Sequence, residues 1–342
     1  MKGVFCAFKI DAKRFFHKGE KMNSKIVPYY LALIASGLLF GLLVFGGKMM
    51  NKYGFSMIEV LIIPNLIGVA VLLLISKPQY SAFFKAPPLI GIAYFIAVVM
   101  IQIGQFIPLF LGLSVSLTVF LIYTQPLWTT LYTLFKGVKF SYEDTILILL
   151  TFVGLIMLIA PWQAIHFSAA GFILALMGGV AMSAWIILNN AYYAKNLKPI
   201  TVTFFTNLYQ SIPFILMIPV FRIFFAGNEN ILGFNLNHSW IVWLFVVAYT
   251  LLVFIGADFL FYKAAEKIRP LVLGLVLLLE PVTAAVLDAV FLDTRLSWNE
   301  LFGGALILCA NAYFIIHSNR KGTGRKTRAA RISHMPRAAA PK

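Results

Sequence analysis

Ten stretches of about twenty mostly apolar residues, separated by short polar breaks, constrain this chain more than any other feature. A hydrocarbon layer about 30 Å thick is crossed by about 20 helical residues at 1.5 Å each. The runs fall at 26–47, 55–76, 88–109, 117–135, 145–163, 171–194, 200–225, 239–262, 271–292 and 298–317. Between the third and fourth, Gly112 and Ser114 to Ser116 form the only break. Merging those two would make a helix far longer than a bilayer needs, so two spans are expected. Composition agrees: apolar residues make up 61% of the 342 and charged residues only 12%. A soluble fold of this size has no means of hiding so much apolar side chain while keeping a wetted surface. The expected fold class is an all-α membrane protein with ten transmembrane helices.

Charge orients the spans. Of 28 Lys and Arg, seven lie in the first 25 residues and eight in the last 23. With the N-terminus inside, the loops after spans 2, 4, 6 and 8 add Lys77, Lys85, Lys136, Lys139, Lys195, Lys198, Lys263, Lys267 and Arg269. The opposite side receives only Lys48, Lys52, Arg222 and Arg295. Cytoplasmic loops carry the excess of Lys and Arg, so both termini are expected in the cytoplasm of a multi-pass cell-membrane protein. An even number of spans follows. Net charge +16 therefore reflects tails and loops and requires no nucleic acid. Residues 1–25 read as a basic tail, not a cleavable signal, in which Val4 to Phe16 alternates apolar and basic residues suited to anionic lipid; Met22 is an alternative start. Residues 318–342 read as a disordered basic tail. Cys6 and Cys309 are expected to be free thiols.

The two halves repeat. Leu121-Ile-Tyr-Thr-Gln125-Pro126 aligns with Leu277-Leu-Leu-Glu280-Pro281 at an offset of about 155 residues, and Phe140-Ser-Tyr-Glu-Asp144 with Leu296-Ser-Trp-Asn-Glu300. The units are 26–163 and 168–317. Five spans per unit is odd, so the second copy enters the bilayer inverted, the arrangement on which alternating access is built. Pro126 and Pro281 stand inside spans 4 and 9, each as a packing kink or a gate, because proline removes a backbone hydrogen bond.

The tract Ala264 to Ala310, with Glu280-Pro281, Leu296-Ser-Trp and Gly303-Gly304-Ala-Leu-Ile-Leu, resembles the EamA repeat of the drug/metabolite transporter superfamily. The first half fits more loosely, through Ser114-Val-Ser, Gln125-Pro126, Gly154-Leu, and Phe40-Gly41 with Lys48 in span 1. The resemblance implies two inverted five-helix EamA-type repeats, with spans 1–4 and 6–9 around a central cavity and 5 and 10 at the periphery. One departure stands out. Where such repeats commonly carry Gly-Glu after the proline, this chain has Val138-Lys139 and Asp293-Thr294.

An acid inside a bilayer is costly to ionise and needs an account. Glu280 sits near mid-depth and is a candidate for proton exchange, or a neutral packing group. Asp258, close to Tyr262 and Lys263, reads first as a boundary ion pair and second as a solute contact. Glu59 and Asp288 are expected to pair with Lys48, Lys52 or Arg295 near the outer face, and Asp293 and Glu300 to be solvated loop charges. Gln102 with Gln105, Asn207 with Gln210, and Trp185 with Asn189 share helix faces by spacing. With Tyr123 and Tyr249 they are cavity candidates for a polar solute, against the alternative that each simply joins helices. Gly37 and Gly41, Gly178-Gly179 and Gly303-Gly304 suit close helix packing.

No HExxH, Walker sequence or phosphate-binding glycine loop occurs, so catalytic residues, metal and cofactors are expected to be none, and the protein is not expected to be an enzyme. The expected function is a secondary transporter exporting or exchanging small metabolites such as amino acids, with proton coupling through Glu280. Multidrug efflux is the rival within transport; a lipid-acting membrane enzyme or a non-transporting receptor is the rival outside it. The expected partners are a small-molecule substrate and the lipid bilayer, with a homodimer left open.

Overall fold

A computed structural model describes residues 26–113, 115–137, 142–163, 168–224, 227–291, 297–310 and 312–313. Every apolar run carries helix. Seven helices are long and apolar enough to cross a membrane: α1 (Val27–Lys52), α2 (Met57–Ile75), α3 (Pro88–Phe110), and those at Ala169–Asn196, Pro199–Ile223, Trp240–Ala265 and Pro270–Phe291. The remaining runs form α4 (Val115–Ile122 and Gln125–Phe135), α5 (Tyr142–Ile159) and, after the four long helices numbered α6 to α9, the short apolar α10 (Trp298–Ala310). No strand occurs among the described residues. Neither tail, nor Ser114, Lys139, Asp293 and Arg295, lies within them.

Local chemistry sets the helix ends. Proline opens α1 and α9, where its missing N–H and fixed φ cost nothing. Ser56 caps α2, and Glu59 three residues on returns a bond to the Ser56 N–H, a reciprocal capping box. Gly112, at φ +82, turns the chain between α3 and α4, so the two runs are separate helices. Past residue 47, α1 runs on to Lys52 and stops before Gly54, whose φ of +88 a side chain would resist. The exterior is apolar: Leu74, Phe135 and Ile223 are all more than three-quarters exposed. Water would penalise that surface, whereas lipid accepts it because helices satisfy their own backbone groups.

The order of packing is the fold's organising fact. α1 lies against α8 and α9, α6 against α3 and α4, and α7 against α2 and α3; α2 also meets α8, and α4 meets α9. α5 meets α10 where Gly154 and Gly303 approach. Exchanging helices 1–5 with 6–10 maps these pairings onto one another: α1–α9 becomes α6–α4, α1–α8 becomes α6–α3, and α2–α8 becomes α7–α3. The directions agree too. Gly37 meets Val276 and Leu279, and Gly41 meets Thr283, so α1 and α9 run parallel. Gly171 meets Leu113 and Gly179 meets Leu121 and Thr124, so α6 and α4 run parallel as well. Adding the sequence offset of about 155 to Leu121 and Thr124 gives Val276 and Leu279, the residues at Gly37.

Of the helices with an internal proline, α4 and α9 break one turn before it, whereas α2, α3 and α7 run on through Pro64, Pro108, Pro213 and Pro219. α4 is interrupted at residues 123–124 and α9 at 277–278. Pro126 and Pro281 have no N–H for the carbonyl four residues back, so Ile122 and Leu277 lose that bond. The small residues of α6 and α1 seat on those broken turns, Gly179 against the Leu121 and Ile122 carbonyls and Gly37 against that of Val276.

Candidate functional site

Six helices, α1, α3, α6, α7, α8 and α9, leave a cavity of about 70 Å³ between them. At about 10–15 Å³ per water of such volume, that is room for several waters. Its polar lining is Gln102 and Gln105 from α3, Trp185 from α6, Gln210 from α7, Asp258 from α8 and Glu280 from α9. Phe40 and Leu43 of α1, Met182 of α6 and Phe254 of α8 supply apolar wall. Periodicity gave no means of choosing these among 32 phenylalanines and still more leucines.

The lining of α8 depends on an irregularity. Leu251–Ala257 is π-helical, and i→i+5 bonding widens the turn so that residues five apart share a face. Val253 and Asp258 are five apart, and both face the cavity. A second π-helical stretch, Asn189–Tyr193, ends the regular part of α6.

The eight sequence candidates divide evenly. Gln102, Gln105, Trp185 and Gln210 line the cavity. The other four are not in its lining, and two of them join helices around it. Asn207 donates to the carbonyls of Thr203 and Phe254 at 2.9 Å each, bridging α7 to the π-helical stretch of α8. Asn189 donates to the Trp185 carbonyl of its own helix at 2.8 Å. Tyr249 donates to the Leu43 carbonyl at 2.8 Å, tying α8 to α1. Tyr123, at the break in α4, is an electrostatic neighbour of Glu280.

The carboxyls separate by role. Asp258 is buried on the cavity wall, and the boundary ion pair with Lys263 is not formed: that ammonium bonds Glu266 at 3.0 Å and lies over the Tyr29 ring. The reason is helical geometry, since Glu266 is one turn further along at the wetter end. Glu59 also departs from expectation. Both its oxygens take backbone N–H groups, Ser56 at 2.8 Å and Asn235 at 2.7 Å, so it caps α2 and anchors the segment that leads into α8. Glu300 accepts from the Ser297 N–H as an exposed cap of α10. The side chain of Asp288 lies outside the described set.

One end of the cavity is plugged. Near the start of α3 and α7 and the end of α8, Thr206 Oγ1 sits 2.7 Å from the Tyr94 hydroxyl and 2.6 Å from that of Tyr262. Beyond them Phe83 stacks on Phe205 at 3.7 Å between centroids, and Tyr193 packs on Tyr94 at 4.3 Å. Asn190 seals α6 to the end of α8 by donating to the Ala265 and Ile268 carbonyls at 2.9 and 2.5 Å. This is the end that carries Lys85, Lys195, Lys198 and Lys267. Gln125 makes a comparable tie between the broken helices, donating to the Gly274 carbonyl at 2.7 Å.

A helical bundle with a lipid-compatible exterior, two-fold-related packing and a buried polar cavity is an integral membrane protein built from a duplicated unit. Residues 169–316 match the EamA-like transporter family, a domain of the drug/metabolite transporter superfamily. No curated protein matches the chain. A solved structure titled "Crystal structure of protein" shares its fold, with a TM-score of 0.63 at 17% identity, covering 85% of this chain and 98% of that one.

Proposed function

We propose that the protein is a secondary transporter, not an enzyme, that carries a small organic solute across the cell membrane by alternating access, with ten crossing helices and both termini in the cytoplasm. The observation that carries this reading is the central cavity, lined by two helices of the first half and four of the second, inside a bundle whose helix packing is exchanged by the two-fold relation. Such a pair of inverted units reaches its second state by swapping conformations, which exchanges the open side. The aromatic and hydroxyl plug at the lysine-rich end is the inner gate in its closed form. Pro126 and Pro281 mark the turns that give way, since their helices already lack backbone bonds there.

Coupling runs through Glu280, with Asp258 as second acid. Neutral when protonated and costly to ionise without a partner, a carboxyl at this depth exchanges its proton for solute or moves it across the gate. The titratable groups that interact with Glu280 are Tyr123 and Tyr249, and those with Asp258 are Tyr94 and Tyr262. The test is uptake in proteoliposomes under an imposed pH gradient. Glu280→Gln should abolish the response to the gradient while leaving downhill counterflow measurable; a gradient response equal to that of the parent chain would remove Glu280 from coupling.

A further inference from the structure

The cavity is unbalanced in charge. Two carboxyl groups, Asp258 and Glu280, face it from adjacent helices, and among the described residues no lysine, arginine or histidine lines it. The tyrosines that interact with the two acids supply no positive charge either. Gln102 is buried, and its side-chain oxygen has no hydrogen-bond partner. The wall is therefore rich in acceptors awaiting a donor. A solute carboxylate entering here would be set against two acids with no base to receive it, and like-charge juxtaposition disfavours binding. An ammonium group reverses each of these terms. It donates to both carboxylates and to the Gln102 oxygen, and the faces of Trp185, Phe40 and Phe254 attract a cation as well as an apolar body.

We propose that the solute is an organic cation, a primary or secondary amine with a compact apolar body, its ammonium held between Asp258 and Glu280 and its body set against Trp185 and Phe254. This rests on the reading of the cavity as the solute site and narrows it: a zwitterionic amino acid lacks the base it would need.

Three probes of one size separate charge from shape: benzylammonium, benzyl alcohol and benzoate. Thermal unfolding of the detergent-purified full chain is followed with each, since a ligand that binds only the folded state raises the melting temperature. Benzylammonium alone should raise it. Asp258→Asn and Glu280→Gln should each weaken that binding about tenfold or more, and the double variant should lose it. The amides nearly match the acids in size, and monodispersity with unliganded melting shows whether each variant is folded. Should the double variant fail to fold, the two single variants decide. Equal shifts with benzoate or benzyl alcohol, an amine shift that survives removal of both acids, or no shift with any probe would overturn the proposal. Transport is scored separately. Uptake of a neutral or acidic solute but not of benzylammonium leaves transport standing and overturns only the amine. Binding of benzylammonium by a chain that moves nothing in counterflow retains the amine site and removes the transport reading.

Discussion

Gly104 of α3 and Gly178 of α6 meet with no space for a side chain: a methyl on Gly104 would stand 2.6 Å from the Gly178 Cα and 2.9 Å from the Leu174 carbonyl. Both neighbours are backbone, so nothing can rotate away, and the two helices that carry Gln102 and Trp185 would have to part. Gly104→Ala should destabilise by about 1–3 kcal/mol, the usual range for an overpacked interface, read as a lower melting temperature in detergent. Gly91 on the same helix has nothing within 4 Å of an added methyl. Gly91→Ala should therefore be neutral or slightly stabilising, given about 1 kcal/mol of helix propensity in alanine's favour. Equal behaviour of the two variants would show that close approach does not hold α3 to α6. At this scale the sequence is half legible. The spacing of Gly37 and Gly41 announces a helix contact, but the contacted groups, Leu279 and Thr283, lie on α9, far along the chain.

The same limit governs whole elements. Pro126 and Pro281 mark two turns that lose an N–H, but Pro64, Pro213 and Pro219 stand inside unbroken helices, so proline alone does not locate the breaks. The inner plug is written nowhere. Tyr94, Thr206 and Tyr262 stand 112 and 56 positions apart and meet only because α3, α7 and α8 converge at one end. Spacing reports which side chains share a face of one helix, not what packs opposite. That is why Gln102 and Gln105 both reached the cavity, while Asn207 turned out to bolt α7 to α8. The widened turn at Leu251–Ala257 rotates Asp258 toward the cavity in a way a regular helical wheel does not reproduce. Thr206→Val keeps the shape at the plug and removes the hydroxyl joining both tyrosines. Leaving a buried hydroxyl unsatisfied costs about 1–3 kcal/mol, so the closed inner end should lose population. Gln102→Cys in a background with Cys6 and Cys309 replaced by serine should then react faster with an impermeant thiol reagent on inside-out vesicles. An unchanged rate would mean that this triad does not gate the lysine-rich end.

At the scale of the molecule, the two-fold relation holds for the main helix pairings and fails most informatively at one of the others. α7 packs along α8 through Thr206 and Asn207, whereas the equivalent pair, α2 and α3, barely touch. Two identical folds in one bilayer thus adopt unequal conformations, as a bundle closed at one end requires. If the halves trade conformations, the ends of α3 and α8 must move in opposite senses at the two faces. Spin labels at Lys85→Cys and Lys267→Cys report the lysine-rich end, and labels at Leu111→Cys and Ser239→Cys report the other; all four positions are exposed, so labelling leaves the core intact. On changing from acid to alkaline pH, or on saturation with an amine that binds, the first distance should lengthen as the second shortens. The change should vanish with Glu280→Gln if proton exchange at that carboxyl drives it. Two distances that lengthen together would describe a bundle that loosens, not one that rocks, and distances fixed under every condition would leave the cavity without a route to either face.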